Sequence, residues 1–265
     1  MPEVSADDVM IVNAARCLSN DLACFVGIGL PSTAANLARR LHAPDCVLIY
    51  ESGCIGSKPT RLPLSIGDGE LAETSDAVVS VPEIFAYWLQ AGRIDVGFLG
   101  AAQLDRFGNI NSTVIGDYGH PTTRLPGAGG APEIAASAGE VIVIIRQNPR
   151  SFVERLDFRS TAGFLGGGDE RATLGVGGTG PQVAITDLGI LKPDPETREL
   201  TLVARYENVA ADAIRAATGW PLQIAPTVEV IAPPSAIELQ TLRELHERTR
   251  AAHSNSPPLR QQEPA

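Results

Sequence analysis

A carboxylate at the end of a predicted core strand is the most chemically suggestive feature of the sequence. Cys46 to Tyr50 is an apolar run suited to a buried strand, and Glu51 follows it directly, with Ser52 and Gly53 behind. In open α/β sheets, ligands gather outside the carboxyl ends of the strands. A glutamate placed there can serve as a general acid or base, as a hydrogen-bonding clamp, or as a nucleophile. The last role needs no separate base, because the side chain is already ionised near neutral pH. The small residues Ser52 and Gly53 would leave room for attack. Position alone leaves a second reading open, in which Glu51 caps a loop or pairs with a nearby arginine such as Arg61.

A second cluster runs Gly108-Asn109-Ile110-Asn111-Ser112-Thr113, then Gly116-Asp117-Tyr118-Gly119-His120-Pro121, and closes with Gly127-Ala128-Gly129-Gly130. So much polar and glycine content between two strands points to a binding surface. Small residues from Gly127 to Gly130 allow backbone N–H groups to approach a ligand oxygen, which is what a tetrahedral oxyanion requires. The plain alternative is a tight turn before a helix. Gly27-x-Gly29 is a weak dinucleotide fingerprint, since Ser32 stands at its third glycine position. Cys54, Asp117 and His120 form a conceivable thiol triad and Ser52 a conceivable serine nucleophile, but no G-x-S-x-G elbow surrounds Ser52 and neither set has a supporting motif. His42 lies four residues before Cys46, yet no further ligands are spaced for zinc, so no metal is expected. The four cysteines, none in a C-x-x-C pair, read as reduced thiols.

The elements that must position these residues follow from periodicity and punctuation. Ser5 and Asp8 mark a capping box for a helix to about Leu18, followed by a strand over Leu22–Val26. Pro31 and Ser32 start a helix through Leu41, and the strand ending at Tyr50 completes a β-α-β unit. Residues 52–75 are rich in Gly, Pro and Ser and read as a long functional loop. A helix is predicted over Pro82–Gln90, then strands over Asp95–Leu99 and Val141–Ile145. Beyond Gly180 come Val183–Thr186, a hairpin from Gly189–Leu191 to Leu200–Ala204 that should cap the sheet, a helix over Val209–Thr218, a strand over Val228–Ile231 and a helix from Ala236 to about Ala251. The class is α/β, an open and mostly parallel sheet flanked by helices with a C-terminal hairpin. Residues 1–253 are expected to form a single domain, although Gly-rich 163–180 could divide two lobes, and 254–265 a disordered tail.

Composition removes several function classes. With 31 Asp plus Glu against 21 Lys plus Arg, the net charge of −10 leaves no basic excess for phosphate backbones, so nucleic acid is not the expected partner. Small anions remain possible, because backbone N–H groups in Gly-rich loops supply positive ends that net charge does not count. No apolar run approaches the length needed to cross a bilayer, and the acidic first residues do not read as a secretory signal, so a cytoplasmic protein is expected.

Taken in order, the motifs resemble the family I coenzyme A transferases, in particular the smaller, β-type subunit of the glutaconate and 3-oxoadipate kind. The resemblance covers Ala43 through Gly53, Gly100 to Asp105, Gly108 to Thr113, Gly116-Asp117-Tyr118, His120-Pro121, Gly127 to Ala131, Gly180 to Val183 and Thr186 to Leu191. Each motif is weak alone, while the ordered set is specific. It implies that Glu51 is the catalytic glutamate and that Gly127, Ala128, Gly129 and Gly130 form the Gly-rich active-site loop contacting oxyanion and thioester, with Ser52, Gly53, Asn109 and Asn111 in support. It also implies ping-pong transfer of CoA from an acyl-CoA to a dicarboxylic or 3-oxo acid through a glutamyl-CoA thioester, with CoA as carried substrate and no other cofactor. Fused members of the family hold both halves in one chain, so this chain should need an α-type partner for activity, in an α2β2 assembly. Tyr50-Glu51-Ser52-Gly53 follows the glutaconate branch, where many β-type sequences carry Ser-Glu-Asn-Gly. Two other outcomes stay open on this scaffold: a thioester or ring-opening hydrolase, and a non-catalytic ligand-binding subunit.

Overall fold

The computed structural model describes residues 4–254. Ser5 and Asp8 cap each other's backbone as expected: the Ser5 hydroxyl accepts the Asp8 N–H at 3.1 Å and the Asp8 carboxylate accepts the Ser5 N–H at 2.9 Å. Helix α1 (Ala6–Ala15) follows, then β1 (Ala23–Val26), α2 (Leu30–Leu41) and β2 (Val47–Tyr50), with β1 and β2 parallel and Val26 opposite Tyr50.

The stretch after Glu51 is more ordered than its composition suggests. β3 (Cys54–Ile55) doubles back antiparallel to β2, a short helix α3 (Gly69–Glu73) follows, and β4 (Ala77–Val78) pairs with β3 to end the sheet. Over Pro82–Gln90 the predicted helix is divided: one turn, α4 (Val81–Glu83), opens into a π-helix over Ile84–Leu89. β5 (Val96–Gly100) returns to the sheet. Two small hairpins come next, β6 (Gln103–Leu104) with β7 (Ile110–Asn111), and β8 (Val114–Gly116) with β9 (Pro121–Arg124). α5 (Ala131–Ser137) then leads into β10 (Glu140–Ile144).

The remaining elements are α6 (Glu170–Thr173), β11 (Pro181–Ile185), β12 (Gly189–Pro193), β13 (Leu200–Tyr206), α7 (Ala211–Ala216), β14 (Gln223–Ile231) and α8 (Ala236–Ser254). Ten strands form one open sheet in the order β14-β13-β12-β11-β10-β5-β1-β2-β3-β4, parallel through its centre from β11 to β2. The expected hairpin is β12–β13, but it does not end the sheet. After α7 the chain comes back alongside β13, and β14 adds in parallel outside it. Apart from Ser254, which closes α8, the expected C-terminal tail lies outside the described residues.

The central strands are buried on both faces, so their side chains alternate between two apolar layers. Cys24, Val26, Leu48, Tyr50, Ile142 and Ile144 face a layer built with Met10, Val12, Leu37 and Leu242 from α1, α2 and α8. Phe25, Ile49, Val141 and Val143 face the opposite layer, with Ile84 and Leu89 of the π-helix and Ile134 of α5. Two-sided burial explains why these strands read as continuous apolar runs in sequence.

Candidate active site

Glu51 is the first residue past β2, and the strand end that carries it is pinned. The buried Tyr50 hydroxyl lies 3.2 Å from the Ser32 hydroxyl and accepts the Asn36 amide at 3.3 Å, both on α2. Burial pushes the Tyr50 phenol pKa upward, so it remains a neutral hydroxyl in this contact. From β1 the chain crosses through α2 to β2 on one side and later reaches β5 on the other, which makes the carboxyl end of β1 a topological switch point. At Gly27 and Gly29 after β1, and at Gly100 ending β5, an added methyl would meet no heavy atom within 4 Å. The edge beside Glu51 is therefore open and lined by backbone.

The Glu51 carboxylate itself is half-buried, and among the described residues it takes part in no hydrogen bond or ion pair. The alternative pairing with Arg61 does not occur. Arg61 binds Asp68 at 2.8 Å and lies 3.7 Å from Glu70, and its guanidinium holds the Asp68 carboxyl well below the usual carboxylate range. What Glu51 meets instead is the Gly-rich loop. A methyl built on Gly130 would lie 2.8 Å from Glu51 Oε1 and 2.8 Å from Phe85 Cζ, and one built on Gly129 would lie 4.0 Å from the same oxygen. Main chain thus approaches the carboxylate as only glycine permits. The backbone N–H groups of Ala128, Gly129 and Gly130 have no acceptor among the described residues, which leaves them available to a ligand oxygen.

A coenzyme A transferase family model matches residues 8–217. The chain belongs to the coenzyme A transferase family. It is 57% identical to the β-type subunit of the 3-oxoadipate CoA-transferase of Pseudomonas knackmussii over 253 residues, covering 96% of this chain and 97% of that one. It is 37% identical to the corresponding subunit of the glutaconate CoA-transferase of Acidaminococcus fermentans, covering 89% and 90%. The fold agrees: the crystal structure of the Acidaminococcus glutaconate enzyme superposes with a TM-score of 0.85 over 91% of this chain and 94% of that chain, at 33% identity.

Within this CoA-transferase subunit the other expected residues divide by position. Ser52 turns its hydroxyl toward the Cys54 thiol at 3.5 Å. Gly53 has φ +99 and its missing side chain is replaced by the Val79 carbonyl, so its space serves the chain reversal into β3. Asn109 and Asn111 are buried and fully engaged away from Glu51. Asn109 donates to Asp105 at 2.8 Å and accepts from Gly163 and Leu165, while Asn111 donates to Gln103 and Val114 and accepts from Thr113. They secure the base of the segment that ends at Gly127, whose N–H donates to Ser112 at 2.9 Å. The thiol triad is not assembled: His120 stands 97% exposed on its hairpin and Cys54 is buried within β3. His42 donates or accepts at the carbonyls of Ala15 and Leu18, and burial pushes the Cys46 thiol up to about 11.

Two contributors escaped the sequence reading. Phe85 reaches the carboxylate side of Gly130 because the π-helix over Ile84–Leu89 swings it there, 5.9 Å from the Phe25 ring. π-turns recur at functional sites, but a widened turn leaves no mark in apolar spacing. Arg171, a lone cation in a glycine-rich stretch, gave no motif to read, yet it is 5% exposed and grips the carbonyl of Ala135 in α5.

Proposed function

We propose that the chain is the β-type subunit of a heteromeric CoA-transferase in which Glu51 is the covalent nucleophile. The unpaired carboxylate lying against the backbone of Gly129 and Gly130 is the observation that carries this reading. A structural carboxylate is tied to a partner, as Asp68 is; one that attacks a thioester must keep an oxygen free.

The chemistry runs in two half-reactions. A Glu51 oxygen adds to the thioester carbonyl of the donor, the C–S bond breaks, and CoA thiolate leaves an acyl-glutamyl anhydride. The thiolate then adds to the Glu51 carbonyl carbon, the anhydride C–O bond breaks, and the donor departs as a free carboxylate, leaving Glu51 as a CoA thioester. An acceptor carboxylate reverses the sequence and carries CoA away. Each addition places negative charge on a carbonyl oxygen, and the unpaired N–H groups from Ala128 to Gly130 are the donors on hand to receive it. Phe85 keeps an apolar wall beside the carboxylate, which favours transfer over interception of the anhydride by water. Similarity to the 3-oxoadipate and glutaconate subunits supports dicarboxylic or 3-oxo acids as the exchanging acids and an α-type subunit as the partner that completes the pocket.

The test is to co-express the chain with an α-type subunit, expose the complex to acyl-CoA without acceptor, and trap with borohydride. Peptide mass should place the reduced thioester on Glu51. Glu51→Gln should abolish both labelling and transfer, a loss on the order of 10⁴-fold or more for removal of a nucleophile. Transfer that persists with an unlabelled Glu51 would overturn the reading, and steady loss of total thioester would make the enzyme a hydrolase.

A further inference from the structure

Arg171 sits on α6, outside the site, and its environment is unusual for a guanidinium. It is 5% exposed and belongs to none of the ion pairs among the described residues. Its charge is met by four backbone carbonyls: Nη1 donates to Gly163 at 2.8 Å and Ala162 at 3.3 Å, and Nη2 donates to Ala135 at 2.5 Å and to Gly177. Nε is buried without a partner. A buried cation lacking a counter-ion costs stability relative to an apolar side chain of similar volume, so this residue is poorly explained as a contribution to the core.

The carbonyl of Ala135 shows what it does hold. α5 has only seven residues and is about 10 Å long at 1.5 Å per residue. One end is reached by Arg171, and the other begins at Gly130, against Glu51 and Phe85. Between them Ile134 rests on Gly97 of β5, in contact so close that a methyl on Gly97 would collide with it. A rigid element this short transmits any shift at its Arg171 end to the loop at its other end. We propose that Arg171 is a positioning residue for Glu51: it fixes the carbonyl end of α5 so that Gly129 and Gly130 stay against the carboxylate. This rests on the reading of Glu51 as nucleophile.

The experiment counts working sites and times them separately. Wild type and Arg171→Met complexes with the α-type subunit are titrated by acyl-CoA and borohydride, and turnover is expressed per labelled Glu51. The expected result is near-complete labelling at long incubation, kcat per labelled site lower by roughly 10- to 100-fold, the cost of displacing a catalytic contact by a fraction of an ångström to an ångström, and KM for acyl-CoA within about 2-fold. Arg171→Lys, which keeps the charge and some of the donors, should recover part of kcat. A merely structural role would lower the number of labelled sites and leave the rate of each unchanged, which overturns the proposal. If no Arg171 variant assembles, the residue serves folding alone and the proposal is equally wrong. If wild-type Glu51 fails to label, the nucleophile reading falls first, so the two failures are distinguishable.

Discussion

At Gly130, before α5, an added methyl would press on the Glu51 carboxylate, and at Gly127 it would meet nothing within 4 Å. Across 163–180, beyond α5, the same addition would strike main chain: the Gly108 backbone at Gly163, the Thr197 carbonyl at Gly167, and the carbonyls of Ala136 and Ala138 at Gly177 and Gly178. Both stretches are glycine-rich in sequence and border the same short helix. In the first, glycine leaves a carboxylate accessible and N–H groups unspent. In the second, it lets backbones pack on one another, and the expected seam between lobes is instead fastened to α5 and β10, with Thr179 donating to the Gly139 carbonyl at 2.7 Å. Glycine content marks a close approach without saying whether chain or substrate makes it.

Single methyl groups can test that contrast. The largest effect is expected at Gly130, whose φ of −80 accommodates alanine without backbone strain. In Gly130→Ala the flexible carboxylate and the Phe85 ring should yield while the fold holds. Near-attack geometry is lost with them, so kcat per assembled complex should fall roughly 10²- to 10³-fold, while thermal stability changes by less than about 1 kcal/mol. Unchanged turnover in steady-state assays would mean that the loop does not face the reacting carboxylate.

The opposite pattern is expected at Gly167, where φ is +97 and a methyl would lie 2.7 Å from the Thr197 carbonyl and 2.5 Å from the Phe107 ring. Gly167→Ala should cost about 3 kcal/mol from left-handed strain and overpacking combined. At this chain length that lowers the apparent Tm by about 6 to 12 °C, with turnover per folded complex as in the wild type. If thermal melts show no shift but activity collapses, the second stretch also belongs to the site and the contrast disappears.

How far the sequence could have drawn this contrast differs between fold and site. The central strands were legible because two-sided burial writes itself as unbroken apolar runs, and Glu51 was legible because it breaks such a run at its carboxyl end. The capping box at Ser5 and Asp8 was equally plain, being a local hydrogen-bond pattern. β3 and β4 were not, since two-residue strands carry no periodicity and are held by pairing to β2 from a loop-like composition. The roles of Asn109 and Asn111 were misplaced for a related reason: polar residues near a glycine loop look like ligand contacts, and only the fold shows their amides consumed by Asp105, Gln103 and backbone.

The smallest effect is expected at Gly27, and it probes the open side of the comparison. Nothing lies within 4 Å of a methyl there, and its φ falls outside the left-handed range, so Gly27→Ala should leave Tm unchanged. Whatever it alters must come from what enters the space at the carboxyl end of β1. Acyl-CoA occupying that switch point would meet the methyl in ground state and transition state alike, which raises KM and leaves kcat in place. A rise of about 3- to 10-fold, equivalent to roughly 1 kcal/mol of lost contact, fits one methyl intruding on a bound chain. An unaltered KM would put the substrate elsewhere along the edge, toward Gly100 and β5, and would confine the ligand-facing role of glycine to the loop around Glu51.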